Sequence, residues 1–223
     1  MAQTIRENRF YFILFGVFVL VGGIYLSQSN KADAIFFFSE YRTPLLNEAF
    51  IFITLLGEAP IYLFLGIAAL IVRLRYSLLV TLTGLTVLGV SKLLKMFFAI
   101  DRPITFFEQQ NLVGKVILIE GIDLHSGATS FPSGHSMSAF ALFTLLIFLL
   151  PSKKLYVVLL FSLALLVGIS RIYLVLHFWS DVYAGGIIGA VLAMLIYVGQ
   201  SRFEPSNSGR LDRPVFSFGK KAA

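Results

Sequence analysis

Ionisable side chains that border a long apolar run are costly, so each one marks a candidate site. In this chain they fall into three groups, each at the end of an apolar run. The first is Lys95-Met-Phe-Phe-Ala-Ile-Asp-Arg102-Pro103. Lys95 and Arg102 are seven positions apart, two helical turns, and share a face if one helix carries both. Two cations on one face make an anion site, and arginine adds a planar fork suited to phosphate oxygens. Snorkelling of long basic side chains at a membrane surface would account for the same pair, and Lys92 is assigned to it. Pro103 is read as an extended exit from the helix.

The second group is Phe131-Pro132-Ser133-Gly134-His135-Ser136, which opens an apolar run. Pro132 suits a first helical turn, and Gly134 lets backbone approach a ligand closely. Free N–H groups at a helix start bind phosphate, the Ser133 hydroxyl adds a donor, and His135 can supply a proton. A helix cap with a structural histidine is the plainer alternative.

The third group is Ser170-Arg171-Ile-Tyr-Leu-Val-Leu-His177-Phe-Trp-Ser-Asp181. His177 and Asp181 are four apart and are neighbours if helical. A carboxylate on one imidazole nitrogen fixes the tautomer and supports positive charge while the other nitrogen attacks. Arg171 can join the cations, and Ser180 is read as the cap of the following helix. An interfacial loop beside a capped helix is again the plainer alternative. His135 and His177 are 42 positions apart with no adjoining carboxylate set, so no metal site is expected.

The elements that position these groups are read from hydropathy. Of 223 residues, 57% are hydrophobic, above the ~45–50% of soluble domains. The excess lies in runs of about 14–23 residues, most of them long enough for a bilayer core of ~30 Å. Six spans are expected, at about Phe10–Leu26, Ala59–Val72, Ser77–Ala99, Gly134–Leu150, Lys154–Ser170 and Asp181–Val198. The fold class is therefore an all-α polytopic membrane protein. Residues 1–200 form one domain, and residues 201–223 are a polar tail read as disordered. The segment Pro44–Leu56 has helical spacing and is expected to lie along the interface. The first run is read as a span, being longer than the apolar core of a cleaved leader.

Arg6, Arg9, Arg73, Arg75, Lys153, Lys154 and the basic residues of the tail all fall on one side of a six-span plan. That side is read as cytoplasmic, with both termini on it. The net charge of +6 is thus assigned to membrane orientation and not to nucleic acid. All three groups lie at the opposite, outer face. There is no cysteine to report on redox compartment. Gly185-x3-Gly189-x3-Ala193 predicts close packing of the last helix against a neighbour. Trp179 and Tyr173 are assigned to the interfacial aromatic belt, and His125 to a loop.

These three motifs resemble the signature of the type 2 phosphatidic acid phosphatase superfamily, which also includes vanadium haloperoxidases. The family pattern K-x6-R-P, P-S-G-H and S-R-x5-H-x3-D is filled by Lys95, Arg102, Pro103, Pro132, Ser133, Gly134, His135, Ser170, Arg171, His177 and Asp181. The resemblance implies that His177 attacks phosphorus and becomes phosphohistidine, that Asp181 orients it, and that His135 protonates the leaving oxygen. It implies that Lys95, Arg102, Ser133, Gly134 and Arg171 hold the phosphate oxygens, with Pro103, Pro132 and Ser170 in support. Water would then hydrolyse the phosphohistidine, with no cofactor and no metal.

The expected substrate is a lipid phosphate or diphosphate whose tail stays in the bilayer. Undecaprenyl diphosphate leads, ahead of phosphatidylglycerol phosphate, phosphatidic acid and a lipid A phosphate. The expected setting is the bacterial inner membrane with the site on the periplasmic side. A lipid phosphotransferase of the same fold is the alternative, followed by an anion-binding transporter. Oligomeric state and the role of residues 103–131 are left open by the sequence.

Overall fold

A computed structural model describes residues 2–151, 153–202, 209, 211–213 and 215. Among them the chain is all-helical, with no strand. In order the helices are α1 (Ala2–Glu7), α2 (Arg9–Gln28), α3 (Asp33–Glu40), α4 (Pro44–Thr54), α5 (Ala59–Val72), α6 (Leu74–Phe98), α7 (Pro103–Gln109), α8 (Gly134–Leu149), α9 (Lys154–Tyr173) and α10 (Trp179–Arg202). Among the described residues four helical stretches are long and apolar enough to cross a membrane: Arg9–Gln28, Leu74–Gln109, Lys154–Tyr173 and Trp179–Gln200. A fifth crossing would combine Pro44–Gly57 with Ala59–Val72, two pieces bent by 56°. The helix at Gly134–Leu149 is apolar but shorter.

That short helix is the centre of the bundle. Residues Ser136 to Leu145 of α8 are buried on every side, which an all-round apolar sequence requires. The glycine stripe of α10 lies against it. A Cβ on Gly189 would stand 2.2 Å from the Met137 carbonyl oxygen, and one on Gly185 2.6 Å from that of Ser133. Only glycine at these positions lets the two backbones approach so closely. Outside this pair, α2 is anchored by Tyr11, whose hydroxyl lies 2.7 Å from Thr144 Oγ1. Trp179 Nε1 donates to the Gly22 carbonyl at 3.1 Å, and the Tyr183 hydroxyl to that of Val19 at 2.8 Å. Helices α5 and α6 form a hairpin joined at Arg73, which is extended and caps α5 through Ala69. The Tyr62 ring fills the space that Gly84 leaves open, and its hydroxyl donates to the Ser138 carbonyl at 2.8 Å.

Three local readings are corrected. Helix α6 does not continue to Arg102; it stops at Phe98, and Ala99 turns left-handed at φ 45. Pro103 does follow an extended residue, Arg102, and it is also the first residue of α7, where a missing N–H costs nothing. Ser180 is not the cap of α10, which begins one residue earlier. The cap is a carboxylate reaching back: Asp181 Oδ2 accepts from the Phe178 N–H at 3.0 Å, as the third-position acid of a capping box does. Tyr173 does not face lipid either. It is buried under α4, donating to Asn47 Oδ1 at 2.6 Å, with the Arg42 guanidinium over its ring and bonded to its carbonyl.

Most of the tail assigned to disorder, 201–223, lies outside the described residues. Its described part is attached to the bundle: Arg75 N–H donates to the Leu211 carbonyl at 2.9 Å, and Val215 N–H to that of Leu70 at 2.9 Å.

Candidate active site

The turn between α9 and α10 carries the histidine–carboxylate pair. Its chain doubles back through Val175, left-handed at φ 59, with the N–H groups of Leu176 and His177 both donating to the Arg171 carbonyl. This places His177 one turn ahead of Asp181, with Nδ1 3.5 Å from Asp181 Oδ2. Both side chains are almost completely buried. A proton on Nδ1 then faces the carboxylate, and the Nε2 lone pair points away from it. Burial lowers the His177 pKa to about 3, against the raising effect of the Asp181 hydrogen bond, while Arg171 and Arg102 lower it further. The imidazole is therefore neutral over ordinary pH, the state a nitrogen nucleophile needs.

Asp181 is held from several directions. Ser130 donates to Oδ2 at 2.5 Å and also lies 3.5 Å from His177 Nδ1. Ser180 donates to Oδ1 at 3.1 Å, and Phe178 N–H supplies the cap described above. The Asp181 carbonyl accepts from Ser133 N–H at 2.9 Å, which joins the start of α10 to the start of α8.

At that start Ser133 is the N-cap of α8. Its hydroxyl oxygen accepts from Ser136 N–H at 3.3 Å and from the Ser136 hydroxyl at 3.0 Å, leaving its own proton to donate. Gly134 stands beside α6: a Cβ there would meet Ser91 Oγ at 3.2 Å and Lys95 Nζ at 3.8 Å. The Lys95 ammonium thus reaches the N-terminal turn of α8, where free N–H groups already favour an anion. Pro132 is buried just ahead of the cap.

The two arginines come from opposite sides. Arg102 is buried, donating through Nε to Thr129 Oγ1 at 3.2 Å and through Nη1 to the Leu176 carbonyl at 3.1 Å, immediately before His177. Its backbone N–H is fixed to the Gly127 carbonyl at 2.9 Å, so tertiary contacts place it despite the break after α6. Arg171 donates to Thr54 Oγ1 of α4 at 2.7 Å, and its buried Nε has no partner. His135 has a buried Nε2 with no hydrogen bond, 3.7 Å from the carboxylate of Glu58.

Lys95, Arg102, Ser133, Gly134, His135, Arg171, His177 and Asp181 thus meet at one end of the bundle. Pro103 is buried behind Arg102, while Ser170 bonds back to the Val167 carbonyl of its own helix at 2.6 Å. His125 is outside the group, exposed and paired with Asp123 at 3.1 Å. Among the described residues no set of three or more His, Cys, Asp or Glu is placed to hold a metal ion. A groove of about 560 Å³ leaves the site between α5 and α6. Lys95, Gly134, His135 and Glu58 lie at its polar end, and Leu63, Leu85 and Leu88 line its walls.

Four contributors escaped the sequence reading: Ser130, Thr129, Thr54 and Glu58. Ser130 and Thr129 lie in a long loop whose other hydroxyl residues look the same in sequence. Thr54 ends a segment read as interfacial, and Glu58 lies just beyond it, at the break before α5. The one available signal is Gly57 between them. A Cβ there would meet the His135 carbonyl oxygen at 3.0 Å, so the glycine marks close packing on the site.

The sequence model of the family described as "PAP2 superfamily" matches residues 60–204. Phosphatidylglycerophosphatase B of Bacillus subtilis (strain 168) is 32% identical, over 52% of this chain and 71% of that protein. The chain is similar in structure to the first transmembrane PAP2 type phosphatidylglycerolphosphate phosphatase from Bacillus subtilis. The TM-score is 0.65 at 27% identity, over 90% of this chain and 99% of the other. It is also similar to Aquifex aeolicus LpxE, with a TM-score of 0.61 at 28% identity, over 75% of this chain and 94% of that one.

Proposed function

The chain belongs to the PAP2 superfamily, and from that premise we propose that it is a membrane-embedded lipid phosphatase working through a phosphohistidine. One observation carries the reading. Arg102 and Arg171 lie close to a buried, neutral His177, Lys95 stands at the start of α8, and the two arginines are tethered by neutral oxygens instead of carboxylates. A phosphoryl group supplies the negative charge that this arrangement lacks.

In the proposed reaction His177 Nε2 attacks phosphorus. The N–P bond forms as the P–O bond to the lipid breaks, and His135 gives its proton to the departing oxygen. Asp181 supports the charge that develops on the His177 ring, and Ser130 holds Asp181 in place. Lys95, both arginines, Ser133 and the N–H groups at Gly134 stabilise the equatorial oxygens. Water then attacks the phosphohistidine, losing its proton to His135, and phosphate leaves. The three fixed cations take the role a metal ion has in other phosphatases, so the reaction is metal-independent.

The apolar groove beside His135 suits a substrate whose leaving group carries a hydrocarbon tail. Undecaprenyl diphosphate, phosphatidylglycerol phosphate, phosphatidic acid and a lipid A phosphate all meet that description, and the named activity of the Bacillus relative favours the second. Counting α4–α5 as one bent span and α8 as a short one gives six crossings, with both termini cytoplasmic. The basic residues at the far end of the bundle support a site outside the cytoplasm, in a bacterial inner membrane. Transfer of the phosphoryl group to a second lipid would use the same intermediate.

The test is phosphate release from each of these lipids by purified protein in detergent with a chelator present. At least one should turn over, and His177→Ala should fall to the uncatalysed level because no N–P bond can form. Near-normal turnover by well-folded His177→Ala would overturn the mechanism.

A further inference from the structure

We infer that Glu58 is a positioning residue for the proton that His135 delivers to the leaving group. The inference rests on the proposed phosphatase reaction and adds to it a residue from outside the three motifs. His135 must carry a proton when the P–O bond breaks. Its neighbours oppose that: the cations Lys95 from α6, Arg102 from the segment before α7 and Arg171 from α9 meet at the same end of the bundle. The Asp181 carboxylate is bonded to Ser130, Ser180 and the Phe178 N–H, on the far side of His177. Among the described residues Glu58 is the one carboxylate within ion-pair distance of His135, with Oε1 3.7 Å from Nε2.

The geometry gives this contact a definite use. His135 Nε2 is buried and has no hydrogen bond, so the ring is not held by any neutral partner at that atom. Glu58 sits at the extended joint between the 3₁₀ turn Leu55–Gly57 and α5, where Gly57 presses against the His135 backbone. The joint therefore fixes the height of the carboxylate relative to the ring. At 3.7 Å the pair is a charge contact, and a carboxylate there favours the protonated imidazole. Glu58 also lines the groove through which the leaving group departs, so its charge is close to the oxygen that must be protonated. When the proton leaves His135 the attraction is lost, and it returns with the proton that His135 takes from water in the second step.

The test compares two leaving groups. An alkyl lipid phosphate, phosphatidic acid in mixed micelles, needs protonation of its leaving oxygen, whereas p-nitrophenyl phosphate expels a stable anion and needs little. Glu58→Gln is expected to lower kcat on phosphatidic acid about tenfold, a part of the roughly 10²–10⁴-fold carried by a general acid, and to leave p-nitrophenyl phosphate within about twofold. A double-mutant cycle supplies the second measurement. In a His135→Ala background, Glu58→Gln should cost nothing further, since its effect passes through the ring. Equal losses on both substrates, or additive losses in the cycle, would overturn the inference. Either result would leave the phosphatase reading intact as long as His177→Ala is inactive; an active His177→Ala would remove that reading itself.

Discussion

Basic residues gather at both ends of this bundle, and the two ends treat them in opposite ways. At one end Arg75 is neutralised. Its Nε and Nη2 each lie 3.0 Å from one of the two carboxylate oxygens of Asp212, and Nη1 donates to Gln200 Oε1 at 3.1 Å. Arg73 stands 3.9 Å from the same carboxylate. At the other end Arg102 and Arg171 are held by two threonine hydroxyls and a backbone carbonyl. Among the described residues no salt bridge joins Lys95, Arg102 or Arg171 to a carboxylate. A neutral tether fixes a guanidinium in space without an ion pair to cancel its charge. A carboxylate tether cancels the charge as it fixes the position. The first arrangement makes an anion site and the second a joint.

The contrast is broken most severely by removing a cation. Arg171→Ala should lower kcat/KM for a lipid phosphate by about 10²–10³-fold, the usual cost of losing one donor to transition-state charge. Arg171→Lys should recover only part of it, because an ammonium cannot reproduce the planar fork. Steady-state phosphate release checks both, with a melting curve to show that the helices remain assembled. Making the active end resemble the paired end is the next largest change. Thr54→Asp puts a carboxylate where the hydroxyl now accepts from Arg171 at 2.7 Å. The guanidinium stays in place but its charge is offset by the introduced carboxylate. The value of kcat/KM should then fall about 10²-fold, the lower end of the loss from removing the donor, with little loss of folded protein. If Thr54→Asp kept full activity, uncompensated charge at Arg171 would not be what the site requires.

The sequence carried some of this and not the rest, for physical reasons. Hydropathy placed α2, α6, α9 and α10, since each must satisfy its backbone within an apolar run. It could not rank them, because a helix apolar on all sides looks the same in the middle of a bundle as against lipid. Small residues did better: Gly185 and Gly189 pointed to the tight α8–α10 contact before the partner was known. The motif residues were legible because charge beside an apolar run is rare. Their tethers were not. Ser130, Thr129 and Thr54 are ordinary polar residues in loops or at helix ends, and only the fold brings them to Asp181, Arg102 and Arg171. The shared face of Lys95 and Arg102 required one helix to carry both, and that condition is not met, because the chain turns left-handed at Ala99. Both side chains reach the site all the same, Arg102 through bonds to residues 127, 129 and 176.

The smallest expected effect comes from unpairing the other end. Asp212→Asn removes the charge facing Arg75 while keeping the shape of the side chain. The pair is partly exposed, with side-chain exposures of 11% for Arg75 and 35% for Asp212, so its loss should cost ~1 kcal/mol or less. The melting midpoint should fall by no more than a few degrees, and kcat/KM should not change. An arginine without a histidine beside it has no chemistry to perform, so this variant separates the charge from the nucleophile. It also tests whether the ends are independent. Arg75 and Lys95 lie on the same helix, α6, near its two termini. A fall in kcat/KM of more than about threefold, with the protein still folded, would mean that the docked segment around Asp212 sets the position of Lys95 along that helix. The two basic clusters would then be parts of one device instead of a joint and a site.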